Sequence, residues 1–259
     1  MAPVKSLTTI ANNNSWGELL SMMKSFDFWN KAEIYVFCDK IVGEKLSKIM
    51  LGQCPIHIHP LMPDHLTKAN RGNLFGELLR CKMDAIEISL KEMGQTLFVD
   101  ADMIFLNEAR GIDLDHYDIV LSQHFIRESD EKKWGRYNAG YVGTRTAAFT
   151  KWWRKACDTS KYVDQECLVH APAHFNCQML GLNHNFGWWR VLQSSSKEEN
   201  ERRIASFHVN GPTIYFGADP LISVHSHIGI KSRFNAMIKD LLLHSTDSRH
   251  KDVASLFRY

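Results

Sequence analysis

The chain has 259 residues, of which 44% are hydrophobic and 23% charged, a composition that excludes a disordered tail, a collagen-like chain and a coiled coil. Its 31 basic and 29 acidic side chains leave a formal charge of +2, which supplies no net electrostatic drive onto nucleic acid or an anionic membrane. Residues 1–14 lack the apolar core of a signal peptide, and no run approaches the ~18 apolar residues of a membrane helix. A cytoplasmic chain with no membrane span is therefore expected. The six cysteines contain no C-x-x-C pair, so zinc ribbons and thioredoxin motifs are unsupported and buried or free thiols are expected. The 13 histidines invite a metal hypothesis without making one, because imidazole serves many structural roles.

In chain order, residues 6–11 are short, apolar and β-branched and read as a strand. An Asn-rich loop follows at residues 12–15, then a helical apolar pattern at 16–26, a strand at 32–38 ending at Asp39, a helix at 41–50 and a short strand at 56–59. Residues 74–93 form a long amphipathic helix closed by Gly94. Residues 95–99 are a buried strand running into Asp100. Strands are expected again at 118–122, 141–143 and 222–225, with helices at 146–159, 163–168 and 234–243. The polar run 193–203 reads as a solvated loop or helix face. No repeat or Pro/Gly-rich linker divides the chain, and alternating strands and helices predict one α/β, Rossmann-like domain over residues 1–259 with a mostly parallel central sheet.

The most informative segment is Asp100-Ala101-Asp102, directly after the apolar strand. In extended chain, residues i and i+2 share a face, so the two carboxylates can converge at the carboxyl end of a central strand, where open α/β sheets bind ligands. Hard oxygens suit Mg²⁺ or Mn²⁺ on a phosphate. The bland alternative is a strand end whose acids cap a helix or face water. Two enzyme classes use such a pair. In haloacid-dehalogenase-like phosphatases the first Asp attacks phosphorus, but that motif usually lies near the N-terminus with Thr or Val two residues beyond the second Asp, where this chain has Ile104. In the other class the acids hold a metal on the diphosphate of a sugar nucleotide.

Across residues 6–231 the order of motifs resembles glycosyltransferases of the nucleotide-diphospho-sugar (A-type) fold, closest to the glycogenin and lipopolysaccharide galactosyltransferase type. The resemblance implies that Thr9, Ala11, Asn12, Asn13 and Asp39 hold the nucleoside, although an ordinary turn and a cap on the following helix are alternatives. It implies that Lys82, with Arg80 as the alternative, touches the donor. Tyr137-Asn138-Ala139-Gly140 resembles the segment beside the sugar, where Gly permits close backbone approach. Asp164-Gln165 resembles the pair at the reacting carbon, and implies Asp164 and Gln165 as the catalytic residues. Val224-His225-Ser226-His227-Ile228-Gly229-Ile230-Lys231 resembles the late strand that gives a metal ligand, then Gly229 and Lys231 to the diphosphate. The spacing leaves the ligand open between His227 and His225, with His227 favoured, beside Asp100 and Asp102.

The resemblance further implies Mn²⁺ or Mg²⁺ as cofactor and a nucleoside-diphosphate sugar, UDP favoured, as donor. The acceptor would be a hydroxyl on a glycan, glycoprotein or glycolipid. Residues 1–106 would form the nucleotide-binding half and residues 107–259 the acceptor-binding half. The glycogenin type implies retention of configuration, whereas Asp164 acting as a base would imply inversion. The competing readings are the phosphatase with Asp100 as nucleophile and a non-catalytic sugar-nucleotide or glycan-binding module. In the latter, Trp152-Trp153 and Trp188-Trp189 stack on sugars; a core-filling role is the alternative for them.

Overall fold

A computed structural model of the chain describes residues 4–63, 73–124, 128–160, 163–192, 196–226 and 232–257. The first half alternates as expected: β1 (Ser6–Ala11), α1 (Trp16–Trp29), β2 (Glu33–Cys38), α2 (Lys40–Leu46), β3 (Ile56–His59), α3 (Asn73–Met93) and β4 (Thr96–Val99). The middle comprises β5 (Met103–Phe105), β6 (Ile119–Gln123), α4 (Glu128–Trp134), β7 (Tyr137–Thr144), α5 (Ala147–Cys157), α6 (Val163–Glu166) and β8 (Cys177–Leu180). It is followed by α7 (Trp189–Leu192), α8 (Lys197–Ile204), β9 (Phe207–Asn210), β10 (Thr213–Phe216), β11 (Asp219–Pro220), β12 (Ser223–His225), α9 (Ser232–His244) and α10 (Ser248–Leu256). The strands and helices read from the sequence are all present, with ends shifted by a few residues, and the polar run at 193–203 contributes α8.

Seven strands form the central sheet in the order β3-β2-β1-β4-β7-β6-β8. All pair in parallel except β7, which runs antiparallel to both β4 and β6. The period-2 alternation of β4 divides its side chains between two layers. Leu97 and Val99 join Leu19, Met22 and Phe26 of α1, while Phe98 joins Met83 and Ile86 of α3 and Phe149 and Trp153 of α5. Both faces of β4 are thus covered, which explains why it reads as a continuous apolar run. A third cluster gathers Ile104, Phe186, Phe207, Val224, Phe234 and Ile238 around the short β5–β12 pair and the three-stranded β9–β11 sheet. In that pair Met103 is in register with His225, which brings the late strand to the end of β4.

Two of the histidines are structural. His250 lies with Nε2 2.7 Å from the Leu106 carbonyl and Nδ1 2.6 Å from Ser245 Oγ. His184 Nε2 lies 2.8 Å from the Arg110 carbonyl. Burial pushes both imidazoles below their ordinary value of 6.5, and His59 likewise. Below that value the unfolded chain binds protons that these folded sites refuse. Their contribution is therefore complete above pH 6.5 and is lost as pH falls beneath it, each site weighing at most ~1.4 kcal/mol per pH unit. Thermal unfolding from pH 7 to pH 5 is expected to show a falling Tm, with a shallower fall in His250→Gln, whose amide can still donate to Leu106. A wild-type Tm that is flat or rises toward pH 5 contradicts this.

Candidate active site

The end of β4 does not continue as extended chain. The backbone turns at Asp100-Ala101-Asp102, with the Met103 amide 3.3 Å from the Asp100 carbonyl. This corrects the expectation that extended geometry aligns the two carboxylates. The turn sends them to different neighbours. Asp100, with a third of its side chain exposed (34%), has Oδ1 3.8 Å from Lys82 Nζ. Asp102 is buried, and its Oδ1 lies 3.3 Å from His225 Nδ1, both side chains being 4% exposed. The next residue of the late strand holds Asp102 from behind, because the Ser226 amide donates to the Asp102 carbonyl at 2.8 Å and its hydroxyl at 3.1 Å.

Antiparallel β7 brings Asn138-Ala139-Gly140 alongside. The Asp100 amide donates to the Gly140 carbonyl at 2.9 Å. A Cβ at residue 140 would stand 2.2 Å from Asp100 Oδ2, so only glycine leaves space for this carboxylate. Asn138 Oδ1 accepts from the Gly140 amide at 2.7 Å, which turns its Nδ2 toward His225 Nε2 at 3.4 Å. An amide NH₂ facing that nitrogen makes Nε2 the acceptor, so the His225 proton sits on Nδ1 and is donated to Asp102.

Lys82, on α3, is buried (6% exposed). Its ammonium donates to Asp164 Oδ2 at 2.8 Å and to the Ala139 carbonyl at 3.1 Å, and lies 4.8 Å from the Phe98 ring. Burial alone would push the Lys82 pKa down, but Asp164 and then Asp100 outweigh it and the net shift is upward. Lys82 is thus held charged between the two acids. Arg80, the alternative, is exposed. Asp164 is fixed through its own carbonyl, which accepts from Trp153 Nε1 at 2.8 Å. Gln165 turns its amide nitrogen to His124 Nδ1 and to the Trp134 carbonyl, each at 3.1 Å.

At the other end of the strand edge, Asp39 is buried. It accepts from the Val42 amide at 2.8 Å, capping α2, and from the Asn13 amide at 2.6 Å. Asn13 is exposed and accepts from Lys45 Nζ through Oδ1 at 2.6 Å, and Asn12 caps the turn that follows β1. Thr9 and Ala11 are buried on β1, where Thr9 Oγ1 has no hydrogen-bond partner among the described residues. His227, Gly229 and Lys231 lie outside the described residues. Asn176 is not part of the site: it binds Asp118 and His116 at the opposite end of β6.

The metal expectation meets a partly assembled donor set. Among the described residues no three His, Cys, Asp or Glu side chains converge on one point. The close pair is Asp102 with His225, and Asp100 leans toward Lys82 instead. Two carboxylates in the same turn are chemically suited to Mn²⁺ or Mg²⁺, and the imidazole in contact with Asp102 would add a softer donor.

Three further residues carry site geometry: two tryptophans that the sequence offered only as sugar-stacking or core-filling candidates, and one histidine it did not single out. Trp153 is completely buried and braces Asp164, so the core-filling alternative holds for its ring while its N–H has a local task. Trp189 is 8% exposed and packs between His124 and His225, with ring centroids 5.0 and 4.8 Å away. His124 follows the last residue of β6, a carboxyl strand end where ligands bind; that position was the available signal.

No family model matches the chain, and no curated protein matches it by sequence. Solved structures do. The galactosyltransferase LgtC, in complex with donor and acceptor sugar analogs, is 13% identical with a TM-score of 0.56, over 98% of this chain and 96% of that one. Mouse xyloside xylosyltransferase 1 is 12% identical with a TM-score of 0.55, over 86% and 97% of the two chains. The bifunctional glycosyltransferase WbbM is 8% identical with a TM-score of 0.57, over 99% of this chain and 52% of that one. The chain therefore has the A-type glycosyltransferase fold, as the order of its motifs implied.

Proposed function

We propose that the protein is a metal-dependent glycosyltransferase that moves a sugar from a nucleoside-diphosphate sugar, UDP favoured, to a hydroxyl of a glycan, glycoprotein or glycolipid. The observation that carries the reading is the meeting of Asp100, Asp102, His225, Lys82 and Asp164 around the end of β4, on a fold shared with glycosyltransferases. Asp100 and Asp102 would hold Mn²⁺ or Mg²⁺, and His225, which gives its Nδ1 proton to Asp102, would reach the metal through the Nε2 lone pair that now faces Asn138. When bound, such a metal neutralises charge on the leaving diphosphate. Residues 1–106 would hold the nucleotide, through Thr9, Ala11, Asn12, Asn13 and Asp39, and residues 107–259 the acceptor. Lys231 and Gly229 would meet the diphosphate, with His227 as the alternative metal ligand.

Lys82 contributes a fixed positive charge and fixes the position of the Asp164 carboxylate. The same contact at 2.8 Å engages the Asp164 carboxylate with Lys82 instead of leaving it open to an acceptor hydroxyl, and this supports retention over inversion. Ala101, buried in the turn, and Ala139, whose carbonyl anchors Lys82, would act through their backbone beside the donor. Among the described residues no helix is long and apolar enough to cross a membrane.

The test is a panel of UDP- and GDP-sugars assayed for nucleoside-diphosphate release with Mn²⁺ and with chelator. Metal-dependent release from one donor is expected. Phosphate release from monoesters through a phospho-Asp100 would replace the reading with a phosphatase, and binding without turnover would replace it with a non-catalytic module.

A further inference from the structure

Gln165 is held more tightly than a surface amide requires. Its amide nitrogen faces the Trp134 carbonyl at 3.1 Å, and since a carbonyl only accepts, the atom there must be the NH₂. The same nitrogen faces His124 Nδ1 at 3.1 Å. That ring nitrogen must then offer a lone pair, with the imidazole proton on Nε2. Both amide hydrogens are thereby committed, and among the described residues Oε1 is the polar atom left for a bound ligand.

The two holders are themselves fixed. The His124 carbonyl accepts from Trp189 Nε1 at 3.2 Å and from Arg190 Nε at 3.1 Å. The imidazole meets the Trp189 ring edge-on at 5.0 Å, and Trp189 packs 4.8 Å from His225. On the other side, Gly135 has φ +88°, and a Cβ there would come within 2.8 Å of Glu166 Cα and 2.9 Å of the Gln165 carbonyl. Glycine is what allows the turn carrying the Trp134 carbonyl to lie against α6.

We infer that His124 is a positioning residue, which fixes the Gln165 carboxamide so that Oε1, and not the NH₂, is presented to the sugar being transferred. The inference rests on the glycosyl-transfer reading for its purpose, but the contact can be tested apart from it.

Five proteins are compared: wild type, His124→Ala, His124→Asn, Gln165→Ala and the double variant His124→Ala/Gln165→Ala. UDP-galactose, UDP-glucose and UDP-xylose are the donors, with Mn²⁺. The His124 backbone carbonyl survives in both substitutions, so its bonds to Trp189 and Arg190 remain. His124→Ala is expected to lower kcat about 10- to 100-fold with donor KM little changed. His124→Asn, whose Oδ1 can stand in for Nδ1 as acceptor, should recover most of it. In the Gln165→Ala background His124→Ala should cost nothing further. Nitrogen-15 NMR of labelled histidine should show His124 protonated at Nε2 and bare at Nδ1. The opposite tautomer in an active protein, an unaffected kcat in His124→Ala, or a full additional loss in the double variant overturns the inference. The expected tautomer in a protein inactive on every donor overturns the glycosyl-transfer reading and with it the catalytic purpose given to the contact.

Discussion

Asp102→Asn is expected to lower metal-dependent turnover by about 10³-fold while leaving the protein folded, a magnitude typical of removing a preorganised charged group from a reaction centre. The side chain is buried, and its Oδ1 accepts from His225 at 3.3 Å. Asn has the same shape, and its Oδ1 can keep accepting from His225 Nδ1–H, so the change removes charge and spares the hydrogen bond. The Asp102 carbonyl, which ties Ser226 of the late strand, is untouched. Stability should therefore move by no more than about 1 kcal/mol. Steady-state kinetics with and without Mn²⁺, beside a thermal melt, reads both quantities. Full metal-dependent turnover in Asp102→Asn would show that the metal site lies elsewhere.

Lys82→Met should damage both stability and activity. The ammonium is buried and holds Asp164 at 2.8 Å, Asp100 at 3.8 Å and the Ala139 carbonyl at 3.1 Å. Methionine fills the space but leaves two carboxylates without the cation they share. Removing one partner of a buried pair costs roughly 3–5 kcal/mol, and at about 2–4 °C per kcal/mol for a chain somewhat smaller than this one a Tm fall near 10 °C is expected. The second variant, Lys82→Met/Asp164→Leu, separates the two effects. It removes the stranded charge at Asp164 and should regain much of the Tm, yet transfer should stay lost because Lys82 and Asp164 both belong to the site. A double variant that regained activity would reduce Lys82 to a structural role.

Much of this arrangement was legible in the chain itself. β4 is a fully apolar run because α1 covers one of its faces and α3 with α5 the other, and two acids directly after such a run mark a strand end. Gly140 follows from a physical demand, since a Cβ there would occupy the Asp100 carboxylate. What local pattern could not give was the turn at 100–102. Period-2 reasoning assumes extended chain, and the backbone leaves it at Asp100. The elements β5, β8 and β9 to β11 also escaped, since period alone cannot identify stretches of two to four residues; β3, β4 and β12, equally short, were read from their apolar or β-branched residues. β5 is stabilised by a distant partner, β12, some 120 residues later in the chain, whereas β9 to β11 pair with one another. The same distance concealed the pairing of Asp102 with His225, and it left His124 as one of 13 histidines until β6 brought it against Gln165.

Asp102 and His225 are proposed to serve a metal on a nucleoside diphosphate. Titration calorimetry of UDP into wild type and Asp102→Asn, each with Mn²⁺ and with chelator, tests it most directly. Clear binding to wild type with Mn²⁺ is expected, strongly weakened both by chelator and by Asp102→Asn. Equal UDP affinity in all four titrations, or no binding of UDP or GDP in any of them, would contradict it.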